Sequence, residues 1–245
     1  SADVLTYAIN NKADITAADV EIRVQEAVFT LRTPAGQQRV SLHTSGLFSV
    51  YNALAACGVG LCQGIDLDII VAALESMPGV PGRFEQVKCG QDFAVIVDYA
   101  HTPDGLENIL RTAKEFATGR IILVFGCGGD RDRTKRPIMG RLGVEYADKV
   151  FITSDNPRTE DPVAIITEIE AGVKEVVAAK GSYCLIPDRR QAINAALEEA
   201  RSGDVVLIAG KGHETYQILG KKTIHFDDRE VVRDYFKGLN APCSR

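Results

Sequence analysis

Four short stretches carry side chains able to do chemistry. Ser154-Asp155-Asn156-Pro157-Arg158 sets a carboxylate acceptor, an amide and a planar cation close together on a turn. Ala209-Gly210-Lys211-Gly212-His213-Glu214 offers a cation, an imidazole and a carboxylate. Phe125-Gly126-Cys127-Gly128-Gly129-Asp130-Arg131-Asp132-Arg133 is rich in glycine, which lets backbone N–H groups approach a ligand. Val97-Asp98-Tyr99-Ala100-His101-Thr102-Pro103-Asp104 is the last. Each by itself would serve as a polar turn capping a helix. Neither the phosphate loop G-x-x-x-x-G-K-[ST] nor G-x-G-x-x-G is present, so the chain has no standard cradle for a nucleotide triphosphate.

The elements between these stretches place all of them alike. From residue 85 onward, β-branched and apolar runs alternate with helical ones: strands at Phe93–Val97, Ile121–Phe125, Val150–Thr153, Tyr183–Ile186 and Val205–Ala209, and helices at Pro103–Phe116, Pro137–Tyr146, Pro162–Val177, Arg190–Arg201 and Asp228–Phe236. Alternation of this kind means βαβ units and a mostly parallel α/β sheet. Ligands then sit in the crevice beyond the carboxyl ends of the strands, where all four stretches fall.

Residues 1–84 read differently. Val4–Ile9, Val20–Val24, Ala27–Thr33 and Arg39–His43 have strand composition, with a hairpin turn at Thr33-Pro34-Ala35-Gly36. Gly46–Gly58 and Leu67–Met77 are predicted helices, and Pro78-Gly79-Val80-Pro81-Gly82 is a rigid connector suited to a domain boundary. The expected division is 1–84 and 85–245.

Composition excludes several classes. A net charge of −5 gives no footprint for nucleic acid or an anionic membrane. No apolar run approaches the ~18 residues of a membrane span, and Ser1–Asn11 is not a signal peptide. Cys57, Cys62, Cys89, Cys127, Cys184 and Cys243 form no C-x-x-C pair and read as small buried residues of a reducing cytosol. The histidines at 43, 101, 213 and 225 lack metal-ligand spacing, so no metal site is expected. His43 reads as structural or solvent-facing, and His225 as part of a helix start with Asp227 as N-cap. His101 and His213 are divided between orienting a loop and touching a ligand. Lys211 reads as a flexible exposed lysine, and Cys127, lacking a histidine partner in its motif, as no nucleophile.

G-x-x-x-V-Y-N-A-x-A-A at 46–56, P-G-R-F-E at 81–85, D-Y-A-H-T-P-D-G-L-E at 98–107, F-G-C-G-G-D-R-D at 125–132, D-N-P-R at 155–158 and G-K-G-H-E at 210–214 together resemble the Mur ligases, most of all the branch that adds the third residue of the peptidoglycan stem peptide. The motifs stand in the family's order and span nearly the whole chain.

The resemblance implies the second, β-rich and helical part of the central ATP-binding domain followed by the C-terminal Rossmann-like domain. The UDP-sugar domain, phosphate loop, magnesium ligands and carbamylated lysine would precede Ser1, so the chain is expected to be a fragment, inactive alone and with no catalytic residue of its own. The implied reaction is cytoplasmic, uses ATP and Mg2+, and joins meso-diaminopimelate to UDP-MurNAc-L-Ala-D-Glu through an acyl phosphate. Carried over by motif, Asn52, Arg83 and Asp98 would meet the nucleotide. Arg131, Asp155, Asn156, Pro157, Arg158, Gly210 and Glu214 would line the amino-acid pocket. A guanidinium suits the far carboxylate of diaminopimelate, which lysine lacks, and Glu214 the ammonium beside it. A monomer without nucleic-acid partners is expected. A dehydrogenase domain, a non-catalytic amino-acid-binding module and a folylpolyglutamate synthase-like ligase are the rival readings. The first fails for want of G-x-G-x-x-G and the acidic residue about 20 positions on.

Overall fold

The computed structural model describes residues 4–177 and 181–239. Cys243 lies outside the described residues. The chain divides into two compact units, Ser1–Gly79 and Val80–Arg245. The division thus falls ahead of the expected one after residue 84, inside the proline–glycine connector.

In the first unit, strands β1 (Tyr7–Ala8), β2 (Ile15–Ile22), β3 (Ala27–Thr33) and β4 (Gly36–Leu42) pair in that order. Alternation buries Ala27, Phe29 and Leu31 of β3 completely. They meet Val50, Leu54 and Cys57 of helix α1 (Leu47–Cys62) and Ile70 and Val71 of α2 (Leu67–Ser76) in one core. The hairpin turn forms as expected, with Thr33 opposite Gly36. Strand β2 begins well before the expected Val20, and its register shifts between Ala18 and Glu21, where Asp19 has φ 50°. A bulge of this kind breaks the two-residue period on which the expectation rested. Asn52 is exposed on α1, and His43 is exposed after β4.

The second unit holds strands β5 (Glu85–Gln86), β6 (Ala94–Asp98), β7 (Ile121–Phe125), β8 (Lys149–Ile152), β9 (Ser182–Leu185) and β10 (Val205–Ala209). Helices α3 (Pro103–Phe116), α4 (Lys135–Tyr146), α5 (Pro162–Lys174) and α6 (Arg189–Glu199) connect them in alternation. A hairpin of β11 (Tyr216–Leu219) and β12 (Lys222–His225) then leads to α7 (Asp228–Gly238).

The sheet order is β5-β6-β10-β7-β8-β9, parallel except for the short antiparallel β5. Every residue of β7 and β10 is buried, as covering on both faces requires. Val95, Val97, Ile122, Val124, Val206 and Ile208 point to α6 and α7. Leu123, Phe125 and Val150 line the other face, where a Cβ on Gly143 of α4 would touch all three. Helices α4 and α5 cross so closely that a Cβ on Gly172 would fall 1.8 Å from the Pro137 carbonyl oxygen.

Helix starts follow local chemistry. Thr102, Asp161, Asp188 and Asp227 each accept a backbone N–H with their side chains, and Pro103 and Pro162 occupy first turns. Asp227 is therefore the N-cap expected for α7. Because β6, β10, β7 and β8 run parallel, with β10 inserted between β6 and β7, the loops after all four leave from the same edge of the sheet.

Candidate functional site

Arg158 leaves the β8 loop with φ 51°, a left-handed conformation uncommon for a side chain of this size. The β11–β12 hairpin holds it there: Arg158 N–H donates to Ile218 O at 3.1 Å, and Gly220 N–H donates to Arg158 O at 2.7 Å. Its Nη1 donates to Gly129 O at 2.8 Å and Asn156 O at 3.4 Å. Among the described residues Nε and Nη2 have no acceptor. One edge of the guanidinium therefore anchors the side chain, and the other edge is free for a bidentate anion.

The glycine loop packs under this arginine. A Cβ on Gly128 would stand 2.9 Å from Arg158 Nη1 and 3.8 Å from Arg131 Cγ, so both arginines border the same turn. A Cβ on Gly129 would fall 1.9 Å from the Pro157 carbonyl oxygen, and Gly129 N–H donates to Asn156 O at 2.9 Å. Side chains are absent here because two loops share the space. Arg131 itself is exposed, with Nη1 donating to Asp130 O at 2.9 Å.

Asn156 is buried and its amide is engaged at both ends. Nδ2 donates to Glu214 Oε2 at 2.9 Å, and Oδ1 accepts from Ile218 N–H at 3.0 Å. Asp155 is also buried, its carbonyl receives Gln217 Nε2 at 2.7 Å, and its Oδ2 would lie 2.7 Å from a Cβ on Gly210. The loops after β8 and β10 thus meet at Asp155–Gly210 and at Asn156–Glu214.

Lys211 departs from the expectation of a flexible exposed lysine. Its side chain is 0% exposed, and Nζ donates to Glu214 Oε2 at 3.0 Å while lying 5.4 Å from the centre of the Tyr216 ring. Glu214 and Tyr216 lie within five residues of it, but Asn156, whose Oδ1 is 3.4 Å from Nζ, comes from the β8 loop, so spacing alone does not mark its burial.

A second cluster forms at the end of β6. Asp98 is buried, with Oδ1 accepting from Ala100 N–H and Oδ2 from Phe84 N–H, both at 2.7 Å. Burial pushes its carboxyl above the usual range. Arg83 is exposed, and its guanidinium covers the Tyr99 ring at 4.8 Å. Tyr99 also packs against His101 at 4.6 Å and His213 at 5.1 Å between centroids. Both histidines therefore belong to one aromatic stack spanning the β6 and β10 loops.

Other groups frame the site. Cys127 is buried beside Met139, and burial pushes its thiol up to about 12, so it is protonated at neutral pH and no nucleophile. Cys57, Cys62, Cys127 and Cys184 are free thiols. Cys62 is exposed rather than buried.

Buried Arg136 reaches Glu160 and Glu168, each at 2.8 Å, and Gly128 O at 3.2 Å, bracing the glycine loop from below. The Arg136 guanidinium, with help from Asp130 N–H, lowers the Glu160 carboxyl to about 2. A depressed folded-state pKa contributes stability that is complete above the ordinary value of 4.5 and is lost as pH falls through about 2. Melting temperature should therefore fall faster between those pH values for the unaltered protein than for Glu160→Gln. Parallel curves would show that the pair does not contribute.

A mostly parallel α/β sheet with helices on both faces and acids, amides and guanidinia gathered at its strand carboxyl ends is a domain of the Rossmann-like class. The family described as "Mur ligase, glutamate ligase domain" matches residues 82–212, and the chain belongs to that family. It is 52% identical over 233 residues to the UDP-N-acetylmuramoyl-L-alanyl-D-glutamate--2,6-diaminopimelate ligase of Syntrophomonas wolfei, covering 95% of this chain and 47% of that protein. The ligase of the same name from Bacillus cereus is 49% identical over 238 residues, covering 97% of this chain and 48% of the relative. A solved structure of a 2,6-diaminopimelate ligase superimposes with TM-score 0.69 at 39% identity, over 96% of this chain and 48% of the other. The chain spans about half the length of the curated relatives it matches.

Proposed function

We propose that the chain is the amino-acid-binding part of an ATP-dependent amide ligase that adds meso-diaminopimelate to UDP-MurNAc-L-Ala-D-Glu in peptidoglycan synthesis. The observation that carries this reading is the meeting of Arg158 and Glu214, bridged by Asn156, at one sheet edge. A cation and an anion held side by side match the ammonium and carboxylate of an amino-acid terminus. The names of the relatives supply the ligand to try first.

In this reaction ATP transfers its terminal phosphoryl group to the D-glutamate carboxylate, giving an acyl phosphate and ADP. The free amine of diaminopimelate attacks the acyl carbon, phosphate leaves, and the amine gives up a proton as the amide forms. The residues of this chain bind and orient the amino acid: Arg158 takes the far carboxylate, Glu214 and Asp155 the ammonium beside it, and Arg131, Pro157 and Gly210 shape the walls. Asn52, Arg83 and Asp98 are assigned to the nucleotide. Among the described residues no group of three His, Cys, Asp or Glu is placed to hold a metal, and magnesium is assigned to no residue of this chain. No described helix is long and apolar enough to cross a membrane, and a cytoplasmic enzyme is the reading we adopt.

Calorimetric titration of the protein with meso-diaminopimelate and with L-lysine tests the assignment. Selective binding of diaminopimelate is expected, because lysine leaves the guanidinium unpaired, a defect that can be worth roughly 10⁴-fold. Equal binding of both would overturn the specificity, and binding of neither would overturn a preformed pocket on this chain.

A further inference from the structure

No ligand contact falls to the buried Lys211. Burying an ammonium is unfavourable unless its charge is paired and its donors are used. Here the charge sits at 0% exposure directly against Glu214, the carboxylate assigned to the ligand ammonium. Lys211 Nζ and Asn156 Nδ2 both converge on Glu214 Oε2, at 3.0 Å and 2.9 Å. Lys211 Nζ also lies 3.4 Å from Asn156 Oδ1, closing a three-membered ring of side chains. The Asn156 amide cannot turn over without losing the Ile218 N–H that binds Oδ1 at 3.0 Å. One oxygen of Glu214 is thus consumed by the protein, and Oε1 accepts from no described residue.

We infer that Lys211 is a positioning residue for amino-acid specificity: together with Asn156 it clamps one oxygen of Glu214, so that the other is presented in a fixed direction to the ligand ammonium. The inference rests on the amino-acid reading of the site. A carboxylate on a freely rotating glutamate would pair with any nearby ammonium. A clamped one pairs only with an ammonium at a set distance from the carboxylate that Arg158 holds. Lys211 acts through Glu214 and touches no ligand.

A double-mutant cycle separates this role from simple support of the fold. Affinity for meso-diaminopimelate is measured by calorimetry for the unaltered protein, Lys211→Met, Glu214→Gln and the double variant, with a thermal melt of each. Glu214→Gln is expected to lower affinity by about 30-fold or more, and Lys211→Met by at least about tenfold. In the Glu214→Gln background, Lys211→Met should change affinity by less than about threefold, because nothing remains for it to orient. The double variant, free of an unpaired buried charge, should melt above Lys211→Met. If Lys211→Met does not fold, Lys211→Gln, which keeps an N–H donor, takes its place in the same cycle.

Equal losses in both backgrounds would overturn the positioning role while leaving the pocket intact. Unchanged affinity in Glu214→Gln would instead overturn the assignment of Glu214, and with it the reading on which the inference stands.

Discussion

Arg158→Ala is expected to weaken binding of meso-diaminopimelate by about 2–5 kcal/mol and to leave L-lysine binding unchanged. The asymmetry follows from how the side chain is held. Nη1 is committed to the carbonyls of Gly129 and Asn156, which fixes the plane of the guanidinium and leaves the Nε–Nη2 edge for a carboxylate. Diaminopimelate brings that carboxylate and lysine does not, so truncation removes an interaction only the first ligand makes. Arg158→Lys should not restore it, since one ammonium cannot both hold the two carbonyls and present a planar pair of donors. Arg158→Gly is the control for backbone effects. Glycine adopts φ 51° without strain, so this variant should melt no lower than Arg158→Ala while losing as much affinity. Equal losses for diaminopimelate and lysine in paired titrations would remove Arg158 as the discriminator.

Arg189→Met is expected to destabilise the protein by about 3–5 kcal/mol. Arg189 and Asp228 are both 0% exposed, with Nε donating to Oδ1 at 2.8 Å and Nη2 to Oδ2 at 2.7 Å. Removing the guanidinium strands a carboxylate in the interior. It also takes a donor from Ala209 O, 3.0 Å away, and from Ser154 O at 3.4 Å. Those carbonyls begin the loops that carry Gly210–Glu214 and Asp155–Arg158, so the pair ties together the two halves of the proposed pocket. Urea unfolding should show a lower midpoint with an unchanged slope. Replacing both partners, Arg189→Met with Asp228→Leu, should recover most of the loss, because no charge is left buried. A single variant within about 1 kcal/mol of the unaltered protein would mean that water or another group replaces the pair.

Neither the Arg189–Asp228 pair nor the Lys211 clamp is legible in the sequence, and the reason is the same for both. Arg189 opens a helix and Lys211 sits in a glycine loop, positions where a cation ordinarily faces water. Their burial depends on partners brought in by other loops and by α7. The hairpin Tyr216–His225 leaves no clear signal either. Its strands are short and mixed in polarity, and the polar Gln217 is buried, donating to Asp155 O of a distant loop. In the first unit the Asp19 bulge hides the start of β2 by breaking its period.

What the sequence by itself determined is whatever depends on local chemistry. Strands Ile121–Phe125 and Val205–Ala209 are continuous apolar runs, helix Pro103–Phe116 carries its own cap and proline, and the α/β alternation follows from them. That alternation was enough to send the Asp98, Gly126–Asp132, Asp155–Arg158 and Gly210–Glu214 stretches to one edge. Only the tertiary structure decided what those residues do to one another. It turned the Asn156 amide onto Glu214, buried Lys211 beneath it and left one edge of Arg158 open. Such contacts join residues far apart in the chain, and their direction is set by crossing loops and by the loss of water, neither of which is written in spacing or composition.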